Sequence, residues 1–151
     1  MKGLVLSLGV VAAALSLTFG LSVASASSSS AKASTKVATA NSMLGRILVD
    51  SHGRTLYLFL KDKKGKSACY GACAAYWPPL IASGKPHAIA GAKASLLGTT
   101  RRHDGRLQVT YRHHPLYRYA GDASKGDMNG QGLDDSGGKW WVLSPAGNKI
   151  T

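Results

Sequence analysis

Hydrophobic and polar residues alternate along two stretches of the chain in the manner typical of β-strands. Residues 55–60 read Thr-Leu-Tyr-Leu-Phe-Leu, which places Tyr57 and Phe59 on one face of a strand and the leucines on the other. Since both faces are apolar, we expect this strand to be central in a sheet. Residues 107–111, Leu-Gln-Val-Thr-Tyr, predict a second strand.

Short strands and tight turns account for most of the remaining pattern. Asp50-Ser51-His52-Gly53 is a turn signal between two strand-like runs. Pro78-Pro79 ends a short helical turn that we predict near Cys69–Tyr76. The predicted class is mainly β, an antiparallel sheet protein. Further strands are predicted at residues 47–49, 96–101, 116–120 and 140–143.

The two halves of the chain resemble each other. Residues 45–62 align with residues 105–122 at an offset of 60 without a gap, and six of the 18 aligned positions are identical. Further along, Trp77-Pro-Pro-Leu80 matches Trp140-Trp-Val-Leu143 after a three-residue insertion. This spacing predicts two related repeats of roughly 60 residues. The first is expected at about 43–100 and the second at about 101–151.

The N-terminal region is expected to lie outside the folded domain. A Lys2 start, an apolar run and an Ala24-Ser25-Ala26 exit predict a secretory signal peptide over residues 1–26. The alternative is an uncleaved membrane anchor, for which the apolar run is barely long enough. Residues 27–42 are mainly Ser, Ala, Thr and Lys and predict a flexible tether. A single β domain is then expected over residues 43–151, in an exported protein that is not integral to the membrane after cleavage.

The composition favours this class and excludes others. The chain has no Glu, a good helix former, and its 151 residues include 18 Gly, a poor helix former. These counts argue against a helical bundle or a coiled coil, and two cysteines are too few for a cysteine-dense knot. Short strands joined by tight turns fit the composition.

One motif occurs in each repeat. Residues 57–62 and 117–122 both read Tyr-x-aromatic-x-x-Asp. Together with the segment 69–80, they resemble a family of bacterial secreted-repeat proteins, the predicted lipoproteins with a Yx(FWY)xxD motif. The resemblance covers about residues 43–147 and implies an envelope or extracellular location and a repeated β unit, but no reaction. The chain has no cysteine before Cys69 for lipid attachment, so we expect a freely secreted or loosely wall-associated form. The motif residues are Tyr57, Phe59, Asp62, Tyr117, Tyr119 and Asp122.

Two roles are open for the motif. In one, the Tyr and Asp side chains form a ligand-binding pair that occurs twice. In the other, each Tyr ring is buried and hydrogen-bonded locally, while each Asp caps the turn after its strand. The structural role is favoured because Tyr57 and Asp62, five positions apart in a strand, lie on opposite faces and need not converge.

Cys69 and Cys73 are the only cysteines in the sequence. An isolated pair forms a disulfide in an oxidising compartment, and positions i and i+4 of a helix are close enough for one. A structural disulfide is therefore the favoured interpretation. The alternative is a redox or copper-binding dithiol, with His or Met side chains as further ligands.

The most polar segment of the domain, residues 122–138, holds four of the seven Asp. Asp127-x-Asn129-x-Gln131-Gly132 resembles the start of a calcium-binding loop, in which oxygen ligands alternate. The twelfth position is Gly138 rather than Glu, so the closing ligand is missing. A connecting loop is favoured. The alternative is a weak calcium site with Asp127, Asn129, Gln131 and Asp134 as ligands.

Charge points to the class of partner. Lys and Arg number 19 against seven Asp, which gives a formal net charge of +12. Residues 61–66 and 101–118 hold nine of these basic residues and predict a basic surface. Outside the cell such a surface meets anionic envelope polymers or lipid headgroups. No nucleic-acid-binding module is visible, so we expect no specific nucleic-acid binding.

No catalytic motif is present in the sequence: Gly-x-Ser-x-Gly, His-Glu-x-x-His and the phosphate-binding loop are all absent. The adjacent His113 and His114 are interpreted as solvated turn residues that point to opposite faces. We therefore expect a non-catalytic binding or interaction module without a required cofactor. The alternative is a redox or copper-handling accessory that uses Cys69 and Cys73.

Overall fold

A computed structural model of the chain describes residues 33–151, together with Gly3 and Gly9. Apart from those two glycines, the signal peptide predicted for residues 1–26 lies outside the described residues, and so does the start of the predicted tether. Within the described residues, no helix is long and apolar enough to cross a membrane.

Residues 33–151 form short strands arranged in three-stranded sheets. The strand orders are β2-β1-β4, β3-β9-β8 and β5-β6-β7. All the pairings are antiparallel except that of β1 with β4. The predicted mainly β class is thus confirmed. The strands are β1 (Lys36–Ser42), β2 (Gly45–Asp50), β3 (Tyr57–Phe59), β4 (His87–Ala88), β5 (Leu97–Arg101), β6 (Leu107–Tyr111), β7 (His114–Pro115), β8 (Asp134–Asp135) and β9 (Gly138–Val142).

One helical turn lies where the sequence predicts it. Helix α1 spans Ala72–Tyr76, and the Trp77 N–H closes it on the Cys73 carbonyl at 2.8 Å. Pro78 follows and cannot continue the helix, because it lacks a backbone N–H. A second short turn, a 3-10 helix at Ala94–Leu96, leads into β5.

Strand β1 corrects the predicted tether. It pairs with β2 along its whole length, from Val37 opposite Asp50 to Ser42 opposite Gly45. Val37 and Ala38 are buried. The small, polar side chains of this segment give little hydrophobic signal, and its order comes instead from the backbone ladder with β2. The folded part therefore includes residues 36–42 and does not begin near Met43.

The strand predicted at residues 116–120 is not a regular strand. Only His114–Pro115 pair with β6, and Tyr117 instead forms single bridges to Tyr57 and Pro79. Two long-range backbone bonds hold this segment in place, because the Leu80 N–H donates to the Leu116 carbonyl and the Arg118 N–H to the Pro78 carbonyl. The segment is extended, and it connects the sheets.

The alternation predicted for residues 55–60 separates two hydrophobic clusters. Tyr57 and Phe59 belong to an aromatic cluster, whereas Leu56 and Leu58 belong to an aliphatic one. Leu60 was expected to pack with these leucines but is 47% exposed, because β3 ends at Phe59 and the chain turns. The aromatic cluster also contains Ala38, Ile47, Val49, Cys69, Trp77, Tyr117, Trp140 and Val142. The aliphatic cluster adds Val37, Leu48, Leu80, Val109, Tyr111, Leu116 and Leu143.

Candidate functional site

The motif Tyr residues meet at the junction of the two repeats. The Tyr57 N–H donates to the Tyr117 carbonyl at 2.9 Å, and the Tyr117 N–H donates back to the Tyr57 carbonyl at 3.0 Å. This reciprocal pair relates the two motifs by an approximate local twofold. Both rings are fully buried.

Each motif Tyr hydroxyl binds the motif Asp of the other repeat. The Tyr57 hydroxyl donates to Asp122 Oδ2 at 2.6 Å, and the Tyr117 hydroxyl donates to Asp62 Oδ2 at 2.9 Å. The expectation of local hydrogen bonds for the tyrosines is wrong. The Tyr and Asp of one motif are not bonded to each other, because each has its partner in the other copy.

Each motif Asp also holds its own loop. Asp62 accepts the Ala68 N–H at 2.7 Å, and Asp122 accepts the Asn129 N–H at 2.9 Å. Burial raises the pKa of Asp62 to about 6, against the lowering effects of the Ala68 N–H, the Tyr117 hydroxyl and the positive charge of Arg102. Burial likewise raises the pKa of Asp122. The two carboxyls are therefore harder to ionise than exposed ones.

The raised pKa of Asp62 predicts a specific pH dependence of stability. The folded state binds this proton more tightly than the unfolded state, whose Asp has its ordinary pKa of 3.8. Asp62 therefore contributes its full stabilisation below about pH 4, and this contribution is lost as the pH rises through about 6. Over that range the free energy of unfolding falls by about 3 kcal/mol. Asp62→Asn should remove this slope of the free energy of unfolding against pH, which urea denaturation at a series of pH values measures. The matched variant Asp134→Asn, at an exposed carboxylate, should keep it, and a slope that Asp62→Asn leaves intact would contradict the assignment.

The aromatic residues of the two motifs, Phe59 and Tyr119, also pack against the opposite repeat. Phe59 stacks on Trp140 with ring centroids 4.0 Å apart, and Tyr119 stacks on Trp77 at 4.3 Å. The two Trp rings stack on each other at 3.9 Å with planes 2° apart. Each motif aromatic thus packs on the Trp of the other repeat, which produces one stack of four rings.

The Cys pair forms the predicted disulfide. Cys69 and Cys73 are bonded, with Cα atoms 5.3 Å apart, and Cys69 is completely buried in the aromatic cluster. No group of three or more His, Cys, Asp or Glu within residues 33–151 is placed to hold a metal ion. The disulfide therefore links the segment before α1 to the first turn of that helix.

Arg102, expected on the basic surface, is buried instead. Its side chain is 3% exposed and donates to Ser67 Oγ at 2.9 Å, Gln108 Oε1 at 2.7 Å and the Cys69 carbonyl at 2.8 Å. Its guanidinium carbon lies 4.3 Å from the centroid of the Tyr70 ring. The reason for burial is that this pocket offers three acceptors. Arg102 therefore ties the disulfide segment to β6, which the sequence did not indicate.

A buried carboxylate at the end of β2 is paired with two arginines. Asp50 is 2% exposed and binds Arg54 Nε at 3.1 Å and Arg118 Nε at 2.9 Å. Burial acts to raise the pKa of Asp50, but the backbone N–H groups of Arg54 and His52 and the two arginine charges outweigh it and lower the pKa. Arg118, also expected on the basic surface, is thus half-buried and paired.

The four residues of the predicted calcium site have separate partners. Asp127 accepts the Ser124 N–H, and the Asn129 amide donates to the Gly121 carbonyl. The Gln131 side chain binds both the Ile150 carbonyl and the Val142 N–H. Asp134 lies 3.5 Å from Lys139 Nζ. These side chains therefore stabilise the loop through contacts within the protein, and a shared calcium site stays a prediction.

Two clefts flank the motif carboxyls. The turn cleft, about 440 Å³, is lined by Asp62, Lys64, Gly65, His113, His114 and Pro115. Its counterpart, about 160 Å³, is lined by Asp122 together with Arg54, Thr55, Pro78, Arg118, Tyr119 and Ala120. At the offset of 60, Asp62 corresponds to Asp122 and His114 to Arg54, so each cleft pairs a motif Asp with the bend of the other repeat.

Both residues of the His pair line the turn cleft. His113 lies in the turn and is exposed, as expected for a solvated turn residue, whereas His114 begins β7 and is half-buried. Burial, together with the charges of Arg112 and His113, lowers the pKa of His114. A larger cavity of about 570 Å³ lies between β4 and β5, and its lining contains none of the motif residues.

Most of the positive charge is exposed, and most of the negative charge is not. Of the 17 Lys and Arg in residues 33–151, 14 are exposed, whereas two of the seven Asp are exposed. Those two are each engaged, since Asp104 pairs with Arg106 and Asp134 with Lys139. The remaining Asp are turned inward toward Tyr, Trp, Arg and backbone donors. The outer surface of the domain is therefore strongly positive.

The chain matches a family described as a secreted repeat of unknown function. The match occurs twice, over residues 38–81 and over residues 98–144, and the two matches begin 60 residues apart. The internal repeat is therefore confirmed. No curated protein and no solved structure matches the chain. Because the two matches together cover more than half of its length, the protein belongs to this family of secreted repeats of unknown function.

Proposed function

We propose that the protein is an exported, non-catalytic binding module whose basic surface engages anionic polymers of the bacterial cell envelope. The observation that carries this proposal is the separation of charge by depth, with 14 exposed basic side chains against two exposed, paired carboxylates. Such a surface attracts polyanions at long range and holds them by salt-sensitive contacts.

The motif has a scaffolding role in this proposal. Its Tyr and Asp side chains bind each other across the repeats, and its aromatic rings stack on the opposite Trp residues. The Yx(FWY)xxD pattern therefore acts to join two half-domains into one unit. Ligand contacts are left to the loops that surround it.

A polymer is favoured over a lipid surface by the shape of the basic region. The turn cleft is a concave space of about 440 Å³ between two loops, which a flexible chain can enter and a flat bilayer cannot. The bonded sulfurs provide no free thiolate to bind copper, and they are equally the oxidised form of a redox pair, so this contact does not favour the redox or copper alternative.

Binding to a phosphodiester polymer should depend steeply on salt. With about three phosphates neutralised, the affinity for a labelled poly(glycerol phosphate) should fall roughly 20-fold between about 50 and 200 mM salt. Fluorescence anisotropy measures this directly, with uncharged dextran as the control polymer. Salt-independent binding, or an absence of binding at low salt, would refute the proposal. Equal affinity for vesicles of phosphatidylglycerol would instead make a lipid surface the partner.

A further inference from the structure

Two tight turns that face each other carry basic residues in left-handed backbone conformations. In the first turn, Lys63 and Lys66 exchange backbone hydrogen bonds at 3.3 and 2.9 Å, and the central residues Lys64 and Gly65 have φ of 52° and 71°. Two positive φ values in a two-residue hairpin are typical of a type I′ turn, which strongly prefers Asn-Gly or Gly-Gly.

The second turn joins β6 to β7 and has the same form. Tyr111 pairs with His114, and the central residues Arg112 and His113 have φ of 48° and 65°. Neither central residue is the Asn or Gly that this turn favours. Local backbone strain of this kind is typical of functional sites, where a side chain is needed despite its conformational cost.

The two turns touch and enclose the turn cleft. A Cβ atom placed on Gly65 would lie 3.3 Å from the His113 carbonyl, so the backbones are nearly in contact. The cleft holds three side chains that can carry positive charge, from Lys64, His113 and His114. Within residues 33–151, none of these three side chains has a hydrogen-bond or ion-pair partner, whereas Asp62, which shares the cleft, is bound by the Ala68 N–H and the Tyr117 hydroxyl.

In the counterpart cleft, the basic side chains are already paired within the protein. There the basic side chains, Arg54 and Arg118, are bound to Asp50 at 3.1 and 2.9 Å, and the space is about 160 Å³. In the larger turn cleft the basic side chains are not bonded to a protein acceptor, although Asp62 also lines the space. The repeat relates the two clefts. Of the two, the turn cleft is the one whose basic side chains remain available to bind an external anion.

We propose that the turn cleft is a binding site for a phosphodiester group, held by Lys64 and by the imidazoles of His113 and His114. The proposal rests on the proposed function, of which it names the contact point and the ligand chemistry. Lysine ammonium and protonated imidazole are charge-assisted donors that suit a phosphate. The space of about 440 Å³ exceeds what one phosphate needs and leaves room for the units on either side of it.

The charges around the cleft give binding a defined pH dependence. The groups that face the site are Lys64, His113, His114 and Asp62, with Arg112 beside His114 and with Arg102 and the Tyr117 hydroxyl acting on Asp62. Protonation of His114 adds a positive charge, and protonation of Asp62 removes a negative one. Affinity for a phosphodiester should therefore rise as the pH falls from about 8 to about 5.

The test variant removes two of the three donors without disturbing the turns. Lys64→Asn and His113→Gly place Asn and Gly at left-handed positions that these residues accept readily, so the melting temperature should not fall. The matched control is Lys36→Gln with His87→Gln, a Lys and a His that are exposed cross-strand partners on β1 and β4. Both double variants lose one Lys and one His.

The measurement is an NMR titration with dimethyl phosphate, and with inorganic phosphate as a second probe, at constant ionic strength. We expect the imidazole signals of His113 and His114 to shift on addition. The Lys64→Asn/His113→Gly variant should bind at least about tenfold more weakly than the wild type, and the control should bind like the wild type. Unshifted imidazoles, equal losses in both variants, or tighter binding at pH 8 would each overturn the site.

Polymer binding separates this inference from the proposed function. If poly(glycerol phosphate) binds the wild type and the Lys64→Asn/His113→Gly variant equally, the cleft assignment falls and the basic-surface function stands. If dimethyl phosphate binds in the cleft but the polymer does not bind, the cleft stands as a small-anion site and the proposed function falls.

Discussion

Replacing Trp140 with alanine should lower the free energy of unfolding by about 3–5 kcal/mol. Trp140 is fully buried and lies in the middle of the four-ring stack, 3.9 Å from Trp77 and 4.0 Å from Phe59. Its ring also meets Tyr117 edge-on at 5.1 Å, and its indole N–H donates to the Asp135 carbonyl. Truncation would open a cavity where the two repeats meet and would leave rings from both without their main contact.

The adjacent Trp141 provides the matched control. It is only half-buried, and it packs against the aliphatic cluster with Lys149 over its ring at 5.4 Å. Trp141→Ala should therefore cost about 1–2 kcal/mol. Urea denaturation of both variants measures the difference. Equal losses would show that the four-ring stack is not the main bond between the repeats.

The repeat was visible in the sequence, but the exchange between its copies was not. Alignment at an offset of 60 identifies Tyr57 with Tyr117 and Asp62 with Asp122, but the strand period does not place Asp62, because β3 ends at Phe59. Neither argument says which copy supplies each partner. That depends on the backbone pairing of Tyr57 with Tyr117, a contact between residues 60 positions apart.

Polar residues account for most of what the sequence left out. Residues 36–42 have few apolar side chains, so the pattern predicted a tether, and only the ladder with β2 makes them a strand. Lys64, Arg112 and His113 occupy positive-φ turn positions that Gly and Asn normally take. Hydrophobic periodicity, in contrast, located β3, β6 and both faces of residues 56–59. The prediction that β3 is central is wrong, because it is the edge strand of the sheet β3-β9-β8.

Replacing Arg102 with methionine should lower the free energy of unfolding by about 3 kcal/mol. Methionine retains an unbranched apolar stem but lacks the guanidinium, so the variant removes the charge and its hydrogen bonds. Ser67 Oγ, Gln108 Oε1 and the Cys69 carbonyl would each lose a charged donor inside the protein, and a buried acceptor without a partner costs about 1–3 kcal/mol. Arg101→Met is the matched control at an exposed neighbour, where we expect a change within about 0.5 kcal/mol.

The same variant reports on the turn cleft through Asp62. The positive charge of Arg102 lowers the pKa of Asp62, and the Tyr117 hydroxyl lies between Asp62 Oδ2 at 2.9 Å and Ser67 Oγ at 2.8 Å. Without Arg102 the pKa of Asp62 should rise above about 6, and NMR titration of the carboxyl carbon measures it. Loss of stability with an unchanged Asp62 titration would mean that Arg102 acts through its hydrogen bonds alone and is not coupled to the cleft. A lower free energy of unfolding together with a raised pKa of Asp62 would establish that the buried arginine, the motif and the cleft are electrostatically coupled.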